Sequence, residues 1–371
     1  MNLFVDHPHA RWALPAGAVV LIAAGSLVAS RTASADSGLA PRTAAQLLVD
    51  VQQSATRQLS GTVVQTANLG LPDLTALTGQ GAGGAAASAG GNGLSSVVSG
   101  THTWRVWLGG PAQARVALVG GSGESDIIRN GNDVWIWSSS GKSAVHNTLT
   151  GKAQAKAGTP QLSPTDLPKT PDEAAAKALA AVDPTTQVTT AGTAVVAGRQ
   201  AYELVLKPRT QDTRVAQVRI AVDAEKHVPL RVQVYSTRVA NPAVEVGFTA
   251  VDFAAPDARQ FAFTPPPGTK VSEGDTAAPG ASKPATQPAE PKVVGTGWTS
   301  VVVAQLPAQV AGASQDKQLQ GLLSSIPEVS GTWGKGRVID GTLFSAVLTD
   351  DGRIAVGAVA PKALFAALKA S

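Results

Sequence analysis

The chain has 371 residues, no cysteine and a formal net charge of +4, with 15% charged and 4% aromatic residues. The absence of cysteine excludes disulfides, thiolate metal sites, thiol catalysis and lipid attachment at an N-terminal lipobox cysteine. So small an excess of positive charge, with no basic patch interleaved with aromatics, excludes a nucleic-acid footprint, and the length predicts about two domains.

Residues 1–11 are polar and end in Arg11, Trp12 to Ala29 are nearly all apolar, and Ala33-Ser34-Ala35 follows. Residues 1–35 therefore read as a signal peptide cleaved before Asp36. The alternative is an uncleaved N-terminal anchor, since about 18 residues just span a bilayer. Both readings predict an extracytoplasmic chain, secreted or attached to the cell membrane.

Thr43 and Gln46 have the spacing of a capping box, ahead of a helix with Leu47, Leu48, Val51 and Ala55 on one face. A strand over Thr62 to Ala67 follows. Leu69, Leu71, Leu74 and Leu77 then precede a Gly/Ala/Ser run from Gly79 to Gly93. That run is too poor in apolar side chains to pack a core. It reads as an expanded hairpin loop or as an apolar flap at the mouth of a cavity.

Evenly spaced short strands come next: Thr101 to Leu108, Gln113 to Val119, Glu124 to Arg129, Asp133 to Ser138 and Lys142 to Asn147. Such spacing predicts an antiparallel, strongly curved sheet or open barrel. Alternation splits Trp104 from Trp107, and sets Trp135 and Trp137 on the face opposite Val134 and Ile136. After a loop to Pro168, Thr170-Pro171-Asp172-Glu173 predicts a second capped helix running to about Val182, with Ala176, Leu179 and Ala180 inward.

Val196 to Val271 is the most regular stretch. Leu204 and Leu206, then Val218, Ile220 and Val222, then Leu230, Val232 and Val234, then Val246 and Phe248 alternate with polar residues, which predicts a meander with one apolar face. An apolar face has to be covered. Ser272 to Pro291 is rich in Pro, Ala, Thr and Ser and reads as a linker. Beyond it, strands are predicted over Trp298 to Gln305, Thr332 to Ile339, Leu343 to Leu348 and Ile354 to Val359. Helices are predicted from Ser314 to Ile326 and after Pro361, with a hairpin turn at Asp350-Asp351-Gly352.

The order "GRQAYELVLKP", a basic hairpin ending in Asp223, "PLRVQVY" and "FAFTPPPGTKV" resembles the bacterial lipoprotein-carrier family (LolA-like) and the related RseB/MucB-like periplasmic sigma-factor regulators. The resemblance covers roughly residues 40–272, and "DDGRIAVGAVAPKALFAALKA" is similar to the small C-terminal domain of the regulators. It implies a mainly β (α+β) chain: a strongly curved, half-open antiparallel barrel covered by helices at 36–271, a linker at 272–294, and a small C-terminal α/β domain at 295–371. It also implies that acyl chains of a lipid or lipoprotein are held in an apolar cavity lined by the ten residues named in the meander; Leu69, Leu71, Leu74 and Leu77 are the candidate flap at its mouth. The expected partners are such acyl chains and a membrane surface, or, in the regulator reading, an anti-sigma or other envelope protein.

Enzyme signatures do not stand beside this. His102, His146 and His227 lack ligand spacing to one another, and no nucleophile elbow, phosphate loop or dinucleotide fingerprint occurs. The reading is a non-enzymatic binding protein with no cofactor and no metal.

Overall fold

The computed structural model describes residues 39–54, 56, 58–70, 100–121, 123–149, 169–180, 182–274, 291–306 and 326–371. The signal or anchor segment, Leu71, Leu74 and Leu77 of the flap, and the helix expected from Ser314 lie outside the described residues.

Helix α1 (Ala44–Gln53) begins at the expected box: Gln46 N donates to Thr43 Oγ1 at 3.2 Å and Thr43 N donates to Gln46 Oε1 at 2.9 Å. Strands β1 (Gln58–Ala67), β2 (Gly100–Gly110), β3 (Gln113–Gly120), β4 (Gly123–Asn130), β5 (Asp133–Ser138) and β6 (Ser143–Thr148) form one meander. Helix α2 (Pro171–Ala180) leads to the second, made of β7 (Thr186–Val196), β8 (Arg199–Pro208), β9 (Val215–Asp223), β10 (Pro229–Ser236) and β11 (Pro242–Asp252). The β7–β8 hairpin turns through Ala197 and Gly198, both at positive φ (52° and 75°), the twist that two-residue hairpins require.

β1 pairs with β11, so the meanders join edge to edge, and β12 (Lys270–Glu273) adds in parallel to β6. The order is β12-β6-β5-β4-β3-β2-β1-β11-β10-β9-β8-β7. Its two ends are not joined, so the expected half-open barrel is an open twelve-stranded sheet. β12 also corrects the linker, because Ser272 and Glu273 are sheet residues paired with Val145 and His146. The linker's other end is a strand too, β13 (Lys292–Val294).

The face carrying Leu204 and Ile220 is the covered face. α1 lies on β7 and β8, and α2 lies on β10 and β11. In α2 the buried residues are Pro171, Ala174 and Ala175. The stripe expected there is corrected, since Ala176 and Ala180 are exposed. Thr170 Oγ1 caps Glu173 N at 3.1 Å, but the Glu173 carboxylate reaches the N–H of Lys169, one residue before the cap.

The second sheet has the order β13-β14-β18-β17-β16-β15, with β14 (Val301–Gln305), β15 (Glu328–Gly331), β16 (Gly334–Asp340), β17 (Ser345–Thr349) and β18 (Arg353–Gly357). Helix α3 (Pro361–Ala370) buries Leu364, Ala367 and Leu368 against it, in a core of its own with Val301, Val303, Val347 and Ala355. Two expected strands are corrected. Thr332 and Trp333 form the β15–β16 turn, and Trp298 sits in a 3-10 turn (Gly297–Thr299) ahead of β14.

The two sheets are docked by directional contacts. Trp298 Nε1 donates to Thr186 Oγ1 at 2.8 Å, and Thr342 N donates to Leu69 O at 2.7 Å. Thr213 Oγ1 and Arg214 N both donate to Ala358 O, at 2.8 and 2.7 Å. Arg214 and Arg238 both hold Asp340, the second at 3.1 Å.

Candidate functional site

The ten residues expected to line a cavity share the covered face. Register places Leu204 opposite Ile220, Ile220 opposite Val232, Val232 opposite Val246, and Val246 opposite Gln65, giving one row across five strands. Leu204, Leu206, Ile220, Val222 and Leu230 are fully buried, Val218, Val232, Val246 and Phe248 nearly so, and Val234 is half-buried. They belong to one cluster with Leu47 and Leu48 of α1 and Ala174 and Ala175 of α2. Of the flap residues, Leu69 is described and is buried in that cluster.

The apolar face continues onto strands with which the helices do not make their main contacts. A second row runs Phe248, Val63, Trp104 and Leu118, crossing from β11 to β3. Where the rows pass β1, Gln65 interrupts them. Its side chain is fully buried, its Oε1 accepts from Trp104 Nε1 at 2.9 Å, and its Nε2 has no hydrogen-bond partner among the described residues. The ammonium of Lys169 lies 5.5 Å from the Trp104 ring centre. Burial pushes the Glu173 carboxyl above its ordinary range, although the N–H and the charge of Lys169 pull the other way. This polar knot inside an apolar face was illegible in the sequence, because Gln65 lies in a run that alternates like any half-buried strand.

The opposite face is organised differently. After β11 the chain makes a 3-10 turn (Ala258–Phe261) and lays Phe261 and Phe263 across β3 to β5. Phe261 is buried, and a Cβ on Gly109 would come within 2.8 Å of its ring, which is why glycine stands there. Around it runs a belt of rings and charges. The Arg115 guanidinium lies over Trp107 at 5.2 Å and bonds Asp126 at 2.5 Å and Glu124 at 3.3 Å. Phe263 touches Trp137 and Trp135, at 5.9 and 5.3 Å between ring centres, and Trp135 stacks on His146 at 4.3 Å. His146 in turn contacts Asp133 through Nε2 at 2.9 Å and Glu273 through Nδ1 at 3.2 Å.

Burial pushes Asp126 up to about 7, with Arg115 opposing the shift and Glu124 adding to it. The folded chain thus keeps a proton on Asp126 that the unfolded chain releases above its ordinary value of 3.8. Stability is therefore expected to fall as pH rises between those two values, and to carry the full penalty above about 7. Asp126→Asn should flatten that slope and cost less at about pH 8 than at about pH 5, as read by urea denaturation. An Asn variant with an unchanged slope would mean that Asp126 does not titrate there.

A pocket of about 340 Å3 opens on this belt, lined by Asn130, Asp133, Trp135, His146, Phe261, Ala262 and Phe263. The sequence reading missed it. The signal was the shared face of Trp135 and Trp137 together with the Phe-x-Phe pair, but nothing local says that these two segments meet. Among the described residues no group of His, Asp and Glu is arranged to hold a metal ion, and no helix is long and apolar enough to cross a membrane.

No protein-family profile and no curated protein matches this chain. Solved structures similar to it include MucB in complex with MucA(peri), with 13% identity and a TM-score of 0.42 over 88% of this chain and 97% of that one. The MucA/MucB complex of Pseudomonas aeruginosa gives 14%, 0.42, 88% and 96%. A LolA superfamily protein from Nitrosomonas europaea gives 10% and 0.23 over 60% of this chain and 99% of that one.

Proposed function

We propose that this chain is an extracytoplasmic, non-enzymatic protein that holds acyl chains of a lipid or lipoprotein against the covered face of its large sheet. One observation carries this reading: the apolar rows cross seven strands, β8 to β3, about 30 Å at ~4.8 Å each, while the two helices make their main contacts with β7, β8, β10 and β11. The rows continue through Val63, Trp104 and Leu118, buried residues on strands with which neither helix makes its main contacts. An acyl chain in such a place contributes about 0.8 kcal/mol per buried methylene.

Val232 tests it, because its side chain sits mid-row and is 3% exposed. Val232→Gln is expected to abolish binding of a fluorescent fatty acid while the protein stays folded, with a stability loss smaller than the about 1–3 kcal/mol that the buried amide costs in a fully packed core. Failure of the wild-type protein to bind the probe would overturn the acyl reading.

A second reading is a regulator that binds an envelope protein. It is favoured by the docking of the second sheet on the first through Arg214, Arg238 and Asp340. MucB, a structural neighbour, is found in complex with MucA. Co-purification with an anti-sigma-type membrane partner, without bound lipid, is the outcome that selects this reading.

A further inference from the structure

We infer that the pocket on the open face is a second binding site, which takes the cationic side chain of an arginine or lysine carried on an extended segment of a partner polypeptide. It is separate from the covered face: Trp135, Trp137 and His146 project from the side of the sheet opposite Ile136 and Val145.

The walls fit a cation. Trp135 and Phe263 offer ring surface above the buried ring of Phe261, and a cation over an aromatic face is attracted by its quadrupole. The charge at the site also fits. Asp133 lines the pocket, and Glu273 stands beside it on His146. A neutral imidazole has a single N–H and serves one carboxylate at a time. An imidazolium serves both and still leaves two negative charges against one positive. The two carboxylates therefore outweigh His146 in either of its states. Arg259, the nearest basic residue along the chain to Phe261, is held by Asp257.

The position of the pocket indicates the carrier of the cation. Glu273 and His146 are in register between β12 and β6. β12 ends the sheet order, and all four of its residues are exposed. An extended segment adding to that edge lies about 4.8 Å from β12, which brings an arginine or lysine side chain within reach of Glu273 and of the His146 that contacts it, with Asp133 and Trp135 on β5 as the far wall.

The test uses the full chain and three probes: a short acetylated peptide with one central arginine, the same peptide with citrulline, and phosphocholine. Citrulline keeps the shape and removes the charge. Nuclear magnetic resonance is expected to show the arginine peptide shifting the Trp135 indole N–H and the Ser272 and Glu273 amides, with the citrulline peptide about fivefold weaker. Glu273→Gln should weaken the arginine peptide to the citrulline level and leave fatty-acid binding unchanged, so failure here is distinguishable from failure of the acyl reading. Equal binding of the two peptides, no shift at saturating peptide, or a response to phosphocholine alone would overturn the proposal.

Discussion

Trp104→Ala is expected to destabilise the large sheet by about 3–5 kcal/mol. Trp104 is fully buried, stands between Val63 and Leu118 in the cross-strand row, and donates its indole N–H to Gln65. Truncation leaves a ring-sized void. It also leaves the Gln65 amide, already without a partner at Nε2 among the described residues, without one at Oε1. Trp104→Phe separates the two effects, because it keeps most of the ring and removes the donor, at about 1–3 kcal/mol. Urea denaturation measures both. A Trp104→Ala protein within about 1 kcal/mol of wild type would show that this part of the face is not packed around the indole. If acyl chains occupy the same face, a fatty acid should restore part of the loss in the alanine variant, since a ligand that binds only the folded state stabilises it.

Asp340→Arg is expected to undock the two sheets. Arg214 and Arg238 converge on Asp340, and the Arg214 side chain is only 11% exposed while its Nε also donates to Val359 O. Charge reversal puts a third cation where two are already held and leaves the less exposed one without its partner. Such a loss costs at least about 2 kcal/mol of docking energy. The large sheet and the α3 core have separate clusters, so the variant should unfold in two thermal transitions and show a larger radius of gyration by X-ray scattering. A single unshifted transition would show that Trp298 on Thr186 and the Ala358 contacts hold the sheets together without the ion pairs.

The strands of the meander were legible because alternation is a local property. Val218, Ile220 and Val222 must share a face whatever their neighbours are, and the turns at Asn130-Gly131 and Asp351-Gly352 announce themselves by residue type. The Thr43 box was legible for the same reason, its partners lying within one turn. What depended on distant partners was not. Nothing near Ser272 says that it will join β6 instead of remaining linker. The alanines of α2 carry too little hydrophobic contrast to fix which side turns inward. The pocket needs Phe263 to cross to β5, over a hundred residues earlier in the chain, and the Arg214–Asp340 contact joins two segments each of which reads as ordinary polar surface.

The β1–β11 seam has a consequence for how the chain reaches its folded state. β1 pairs on one side with β2 and on the other with β11, so Ser60 lies opposite Asp252. The two meanders consist of neighbours in sequence and can form early, whereas the seam closes the longest loop in the sheet and waits for its last long strand. Until then β1 and β11 each present an unpaired apolar edge, the surface on which a nascent chain aggregates or recruits a holding chaperone. With no disulfide to guide it, seam closure is expected to be the slow step of folding.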